Sequence, residues 1–221
     1  TPLVAASFYA VPDIPLIFFS ACFLWVYKKF LEEETYLNSF LLGLLIALLL
    51  YSKEHAVLLF GFVLLSNLKL LHSTKFYLAI ALGVVFFLPH LYWQYSHDFI
   101  AYRFHLFEER SRELYTIDFT LHYLYSQLAM AGIPAGFLLI YASYKNKNKS
   151  QFHKSLQYLL WGVYLFFFVS SFRGRTEANW TAINSLPLII LSYQTFAEYS
   201  LLRKWLYYLA PIFLLIFIIA R

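Results

Sequence analysis

The sequence predicts an all-α fold, a polytopic transmembrane helical bundle of about eight spans. Three observations lead there. The chain is 61% apolar and 13% charged, too little polar surface for a water-soluble domain of 221 residues. Its apolar residues come in solid blocks rather than in the alternation of a membrane barrel strand, and lipid leaves only helices and closed barrels as solutions for the backbone. The charges gather between the blocks, with most lysines on one set of loops and most arginines on the other, Lys53 and Arg203 being the exceptions.

A bilayer core takes about 20 apolar residues as helix, fewer when flanking side chains snorkel. That rule places spans near Ile14–Tyr27, Leu37–Ser52, Ala56–Leu71, Phe76–Tyr95, Phe119–Tyr144, Ser155–Phe172, Trp180–Ser200 and Trp205–Ala220. Residues 1–10 read as the tail of an earlier span, and Thr1 falls inside an apolar stretch, so the chain reads as a piece of a longer protein. Residues 1–221 form a single domain, with an interfacial external loop near 96–118 and no internal repeat. Cys22 stands alone inside an apolar run and forms no intrachain disulfide.

Orientation follows from the positive-inside rule. Nine of the ten lysines fall on one set of alternate loops, which is therefore expected to be cytoplasmic. The opposite loops carry Lys53 and the arginines 103, 110, 112, 173 and 175, together with Asp13, Glu54, Asp98 and Glu177. Topogenic bias does not account for external arginines. The net charge of +5 is split among short loops and forms no stripe that would track phosphates, so no nucleic-acid partner is expected.

Four external segments carry the chemistry. In VPDIPLIFF, Asp13 lies between two prolines at the mouth of a span, as an N-cap or as a carboxylate that positions or deprotonates a substrate. In YSKEHAVLL, Lys53, Glu54 and His55 interrupt an apolar run, where ionisable residues mark function. Lys53 then binds a phosphate as a point charge, or pairs with Glu54 to cap a tight turn.

The loop SHDFIAYRFHLFEERSREL reads as an interfacial helix, with Phe99, Leu106, Phe107 and Leu114 facing lipid. Arg103, Arg110 and Arg112 reach toward phosphate there, and His97, Asp98 and His105 are polar candidates. His97 and His105 lack the spacing of a metal pair, so no metal is expected. In FRGRTEANW, Arg173 and Arg175 straddle a glycine and suit bidentate contact with phosphate oxygens, followed by Glu177, Asn179 and an interfacial Trp180. No nucleotide loop, metal signature or serine elbow occurs, and no cofactor is expected.

At these four segments the chain resembles bacterial members of the dolichyl-phosphate-mannose protein mannosyltransferase family (glycosyltransferase family 39), which includes the aminoarabinose transferases of lipid A and has the GT-C fold. VPDIPLIFF resembles the family's Thr-Pro-Asp-x-Pro-Leu-Leu-Phe-Phe stretch, with Val11 in place of threonine. LLGLLIALLLYSKEHAVLL is similar to its helix ending in Ser-Lys, LPHLYWQYSHDFIAYRF to its Leu-Pro-x-Leu-x-Trp segment, and GRTEANWTA to its Glu-x-Asn-Trp-x-Ala motif. The resemblance runs in order over about residues 1–190.

It implies a membrane glycosyltransferase of the bacterial inner membrane, with an extracytoplasmic active face. Such an enzyme moves a sugar from a polyprenyl-phosphate donor to a hydroxyl on a lipid, glycan or protein acceptor. Lys53 matches the family's phosphate-contacting lysine, with Arg103, Arg173 and Arg175 as further donor contacts. Asp13 matches a supporting carboxylate, the main base belonging to an earlier loop absent from this sequence. Glu177 and Asn179 match the late motif and, with His97 and Asp98, are expected to hold sugar or acceptor. The competing expectation is a non-enzymatic transporter or flippase of lipid-linked glycans. That function calls for charges near mid-bilayer and broken helices, whereas here the charges sit at the span edges.

Overall fold

The structure is a computed structural model and describes residues 12–103, 114–132 and 135–219. Among these residues the regular structure is helical throughout. In chain order the helices are α1 (Asp13–Glu32), α2 (Tyr36–Ser52), α3 (Val57–Ser66), α4 (Thr74–Ser96), the short α5 (Ile100–Arg103), α6 (Ile117–Ala131), α7 (Ala135–Lys145), α8 (Gln151–Ser170), α9 (Ser185–Glu198) and α10 (Ser200–Ile219). Single 3-10 turns precede α3 (Glu54–Ala56), α4 (Leu68–His72) and α9 (Ala178–Asn184).

The starts follow local chemistry. Thr35, Ser73 and Ser150 stand one residue before α2, α4 and α8, and each hydroxyl oxygen accepts from a backbone N–H inside its helix, of Asn38, Phe76 and His153. Each contact satisfies an N–H that the helix itself leaves unpaired.

Two of these helices, α1 and α4, are long and apolar enough to cross a membrane, and a third crossing results if the bent pair α6–α7 counts as one span. The expected eight are therefore not matched by length and apolarity. The apolar block 37–52 is a helix of 17 residues, and the block 56–71 holds one of only 10 before a 3-10 turn. The block 180–200 spends its first residues on a 3-10 turn, which leaves 14 for α9. The block 119–144, expected as one span, is two helices set at 89° to each other. Gly132, with φ of 96°, ends α6 in a backbone conformation that other residues seldom adopt. The expected tail of a span at residues 1–10, and His105, Leu106, Phe107, Arg110 and Arg112 of the expected interfacial helix, lie outside the described residues. Of that loop, α5 supplies a single helical turn, and Leu114 is exposed.

The core joins α1, α2, α3, α8 and α9 around Leu16, Phe30, Leu49, Leu59, Leu160, Phe167, Ile183 and Leu191, all fully buried. Helices α2 and α4 pack most extensively. A side chain at Gly43 would meet the Ala79 carbonyl oxygen and Leu82 Cβ at 2.7 Å, and one at Gly83 would meet Ile46 at 3.1 Å. The two backbones approach through small residues, the usual packing solution among lipid-solvated helices. At Gly162 of α8 a side chain would land inside the Phe62 ring of α3. Outside this core the surface is apolar: Phe18, Trp25, Val84, Leu88, Leu165 and Ile189 are each about half exposed or more.

The bundle has two polar ends. At one, Ser73 donates to the Glu34 carboxylate, Lys75 to the Glu34 carbonyl, and Gln151 to the Ser66 carbonyl. The hydroxyls of Tyr27, Ser66 and Ser155 share a buried network at 2.7–3.0 Å on the same side. Helices α1, α2, α4 and α8 run from that end to the other, where Asp13, Lys53 and the loop before α9 meet.

Candidate functional site

Pro12 and Pro15 bracket the first turn of α1, and Asp13 is its first residue, with Pro12 in the capping position. The capping reading of Asp13 fails for that reason. Its carboxylate bonds to no backbone N–H of its own turn and points across the bundle instead. Lys53 Nζ donates to Asp13 Oδ1 at 2.7 Å, and Asn179 Nδ2 donates to Oδ2 at 2.8 Å. Three residues from three distant segments thus meet at one carboxylate.

Lys53 ends α2 in an extended conformation, its own N–H closing on the Leu49 carbonyl. The alternative of a Lys53–Glu54 turn pair also fails, since the partner is Asp13, forty residues away. The Asp13 and Lys53 side chains are only 10% and 17% exposed. A charge pair at that burial stands on its geometry, because desolvation opposes it and loss of one partner strands the other. Both Asp13 oxygens are occupied by donors. Of the three ammonium hydrogens of Lys53, one is spent on Asp13.

Asn179 lies on the 3-10 turn Ala178–Asn184, which is pinned from below. The Thr181 hydroxyl donates to Gln127 Oε1 of α6, and Asn184 Nδ2 donates to the Leu160 carbonyl of α8 at 3.1 Å. Trp180, expected at the interface, is half-buried and packs on His55 at 5.1 Å and Phe167 at 5.8 Å between ring centroids. His55 also meets Phe167 edge-on, so an aromatic layer joins the residue after Glu54 to the residue after Asn179. This layer and the Gln127 contact were not foreseen. A glutamine inside the apolar run of α6 was the available signal.

Arg175 Nε pairs with Glu177 Oε1 at 3.1 Å, with side chains 58% and 49% exposed. The pair stands in solvent at the rim and stabilises the fold by at most about 1 kcal/mol. Arg173 is exposed and makes no ion pair among the described residues, and Gly174 between the two arginines is buried rather than presented outward. Thr176 is buried with its hydroxyl unpartnered among the described residues.

His97 and Asp98 leave α4 at its C-terminal end, both exposed. The His97 ring stacks on Trp93 at 4.4 Å, and its Nδ1 lies 2.8 Å from the Trp93 carbonyl. Asp98 and Phe99 both adopt a positive φ of 53°, unusual for side-chain-bearing residues, which turns the chain sharply into α5. Behind the turn, Gln94 is buried and its Nε2 meets His90 Nε2 at 3.2 Å. Tyr102 of α5 is half-buried and feels the Glu54 carboxylate. Burial chiefly, and then that negative charge, push its phenol above the ordinary value. Arg103 is exposed at the end of α5. Neither it nor His97 or Asp98 contacts the Asp13 carboxylate.

Among the described residues, no group of three or more His, Cys, Asp or Glu side chains is placed to hold a metal ion. Of the nine residues singled out from sequence, three converge, two form a rim pair, and four stand exposed around the same end.

No curated protein matches the chain. No solved structure matches it either. Residues 1–93, which hold Asp13 and Lys53 but not Asn179, match the family described as dolichyl-phosphate-mannose-protein mannosyltransferase.

Proposed function

We propose that this chain belongs to a membrane glycosyltransferase of the GT-C type. The enzyme moves a sugar from a polyprenyl-phosphate donor to an acceptor hydroxyl on the extracytoplasmic face of a bacterial inner membrane. The observation that carries the reading is the meeting of Lys53 and Asn179 on the buried Asp13 carboxylate, Lys53 half-buried and Asn179 exposed above it. The family match over residues 1–93 supports it.

The chemistry needs a cation where the leaving group forms. The acceptor oxygen attacks the anomeric carbon, the bond from that carbon to the phosphate oxygen breaks, and its electron pair leaves on the lipid phosphate. The acceptor proton passes to a base. Lys53 Nζ, held by Asp13, keeps hydrogens for the phosphate oxygens as their charge grows, in a setting drier than the surface. Arg173, Arg175 and Arg103 supply exposed positive charge at the same end, suited to drawing in the donor headgroup. Asp13 is a poor candidate for the base because both its oxygens are engaged, so it serves to set Lys53 and Asn179 in place. Glu177, His97 and Asp98 are open to solvent and available to sugar or acceptor hydroxyls. The eight-span arrangement follows if the shorter apolar helices cross with snorkelling ends, the lysine-rich loops being cytoplasmic.

The test supplies the full-length protein with radiolabelled polyprenyl-phosphate sugars and follows the label into products. Lys53→Ala is expected to lower transfer, measured per amount of folded protein in the membrane, by about 100-fold or more. Arg175→Ala, at the exposed rim, is expected to lower it by about tenfold. Transfer at the wild-type rate by Lys53→Ala would remove the phosphate role.

A further inference from the structure

The opposite end carries a second organised set of cations. Residues 119–176 contain no Asp or Glu, yet Lys145, Lys147, Lys149 and Lys154 fall within ten residues of one another. The residues between them hold the loop in shape. Asn146 Nδ2 donates to the Leu191 carbonyl and to Gln194 Oε1, both at 3.1 Å, tying the loop to α9. Asn146 Oδ1 accepts from the Asn148 N–H at 3.1 Å, and Asn148 Oδ1 accepts from the Ser150 N–H at 3.0 Å. Ser150 then caps α8. The even positions are spent on holding the backbone, which leaves the lysines at the odd positions projecting and exposed.

Aromatic rings set the level of three of the four ammonium groups. Lys145 Nζ lies 5.6 Å from the Tyr141 ring, Lys147 Nζ 5.9 Å from Tyr199, and Lys154 Nζ 5.4 Å from Tyr158. Below them the surface turns apolar, with Tyr144, Leu201, Trp205 and Tyr208 each more than half exposed. Cations above an aromatic skirt above apolar side chains is the vertical order of a bilayer interface. A soluble polyanion has no use for the skirt. Helix α8 separates this loop from the site loop by 20 residues, about 30 Å of helix and close to the thickness of a bilayer core.

We propose that the Lys145–Lys154 loop is a docking surface for the headgroups of anionic phospholipids, at the end of the bundle opposite Asp13. This rests on the helices being embedded in a bilayer and not on the transferase reading. Lys28 and Lys29 of α1 stand exposed toward the same end, Lys28 lying 4.0 Å from Glu32. The bound anion is held by charge and by position, with no covalent step.

The experiment uses the full-length protein purified from mixed phosphatidylcholine and phosphatidylglycerol vesicles in a neutral detergent. Retained lipid is counted by native mass spectrometry during titration with phosphatidylglycerol. Wild type is expected to retain phosphatidylglycerol over phosphatidylcholine. Lys145→Gln, Lys147→Gln and Lys149→Gln combined should weaken that retention by about a hundredfold, roughly fivefold for each lysine. The three Arg replacements should preserve it, which separates lost charge from a damaged fold. Equal retention of the two lipids by wild type, or unchanged retention by the Gln triple variant, would overturn the proposal. So would displacement of phosphatidylglycerol by inorganic phosphate at matched concentration, which would mark a free-anion site. Sugar transfer is absent from every arm, so failure here and failure of the transferase reading are separable.

Discussion

Asp13 accepts from Lys53 and Asn179 through different oxygens, and that division of labour governs what each substitution does. Lys53→Met removes the cation and leaves the carboxylate nearly buried beside one amide. Asp13→Ala strands the ammonium instead. Each single change should cost about 3–5 kcal/mol, and the double change less than their sum, because the stranded charge disappears with its partner. Thermal unfolding of the four variants in detergent measures the coupling, and strict additivity would show that the pair is idle. Asp13→Asn separates binding from turnover. Lys53 is freed from a counter-charge, so polyprenyl phosphate should be retained at least as tightly while transfer falls by about tenfold through misplacement of Lys53. Retention and turnover measured on the same preparation decide this.

The three residues were legible one by one, since each interrupts or edges an apolar run where polar groups are costly. Their partnership was not. Separations of 40 and 166 residues lie beyond any local spacing rule, and the local alternatives of an N-cap and a Lys53–Glu54 turn were equally good on sequence alone.

At the scale of elements, the site depends on helix ends held in place by packing elsewhere. Helix α2 delivers Lys53, and its closeness to α4 rests on Gly43 and Gly83. Gly43→Val would drive a side chain into the Ala79 carbonyl, which is backbone and cannot rotate away. It should cost about 1–3 kcal/mol and lower the melting temperature by about 5 °C. Gly83→Ala, which meets only the Ile46 side chain and the Gly43 carbonyl at 3.1–3.3 Å, is expected to cost less. A larger drop for Gly83→Ala would contradict the packing described. The 3-10 turn that carries Asn179 is held by Thr181 on Gln127. Thr181→Val keeps the shape but leaves Gln127 unmatched, so transfer should fall more than stability does, as initial rates set beside melting curves will show.

Helix positions were legible because apolar blocks announce them. Their lengths were not, because a 3-10 turn is as apolar as the helix it precedes. The break between α6 and α7 was hidden for a related reason, since Gly132 sits in a run whose flanks are both apolar.

Taken whole, the molecule separates its chemistry by end. Asp13, Lys53, the exposed Arg103, Arg173 and Arg175 and the α4–α5 corner gather at one, and the lysine-rich loops, with Arg203, at the other. Sequence anticipated this sorting through the contrast between nine lysines, with Arg203, on one set of loops and five arginines on the other. It could not supply depth, and so Lys53 and Arg175 looked alike until burial distinguished a nearly enclosed cation from a rim cation.

The most direct test of the central claim is the affinity of the full-length protein for polyprenyl monophosphate, compared between wild type and Lys53→Ala in the same neutral detergent. A charged hydrogen bond lost from a partly dry site should weaken binding by roughly tenfold to a hundredfold. Identical affinity for the two proteins would contradict the claim that Lys53, held by Asp13, receives the lipid phosphate.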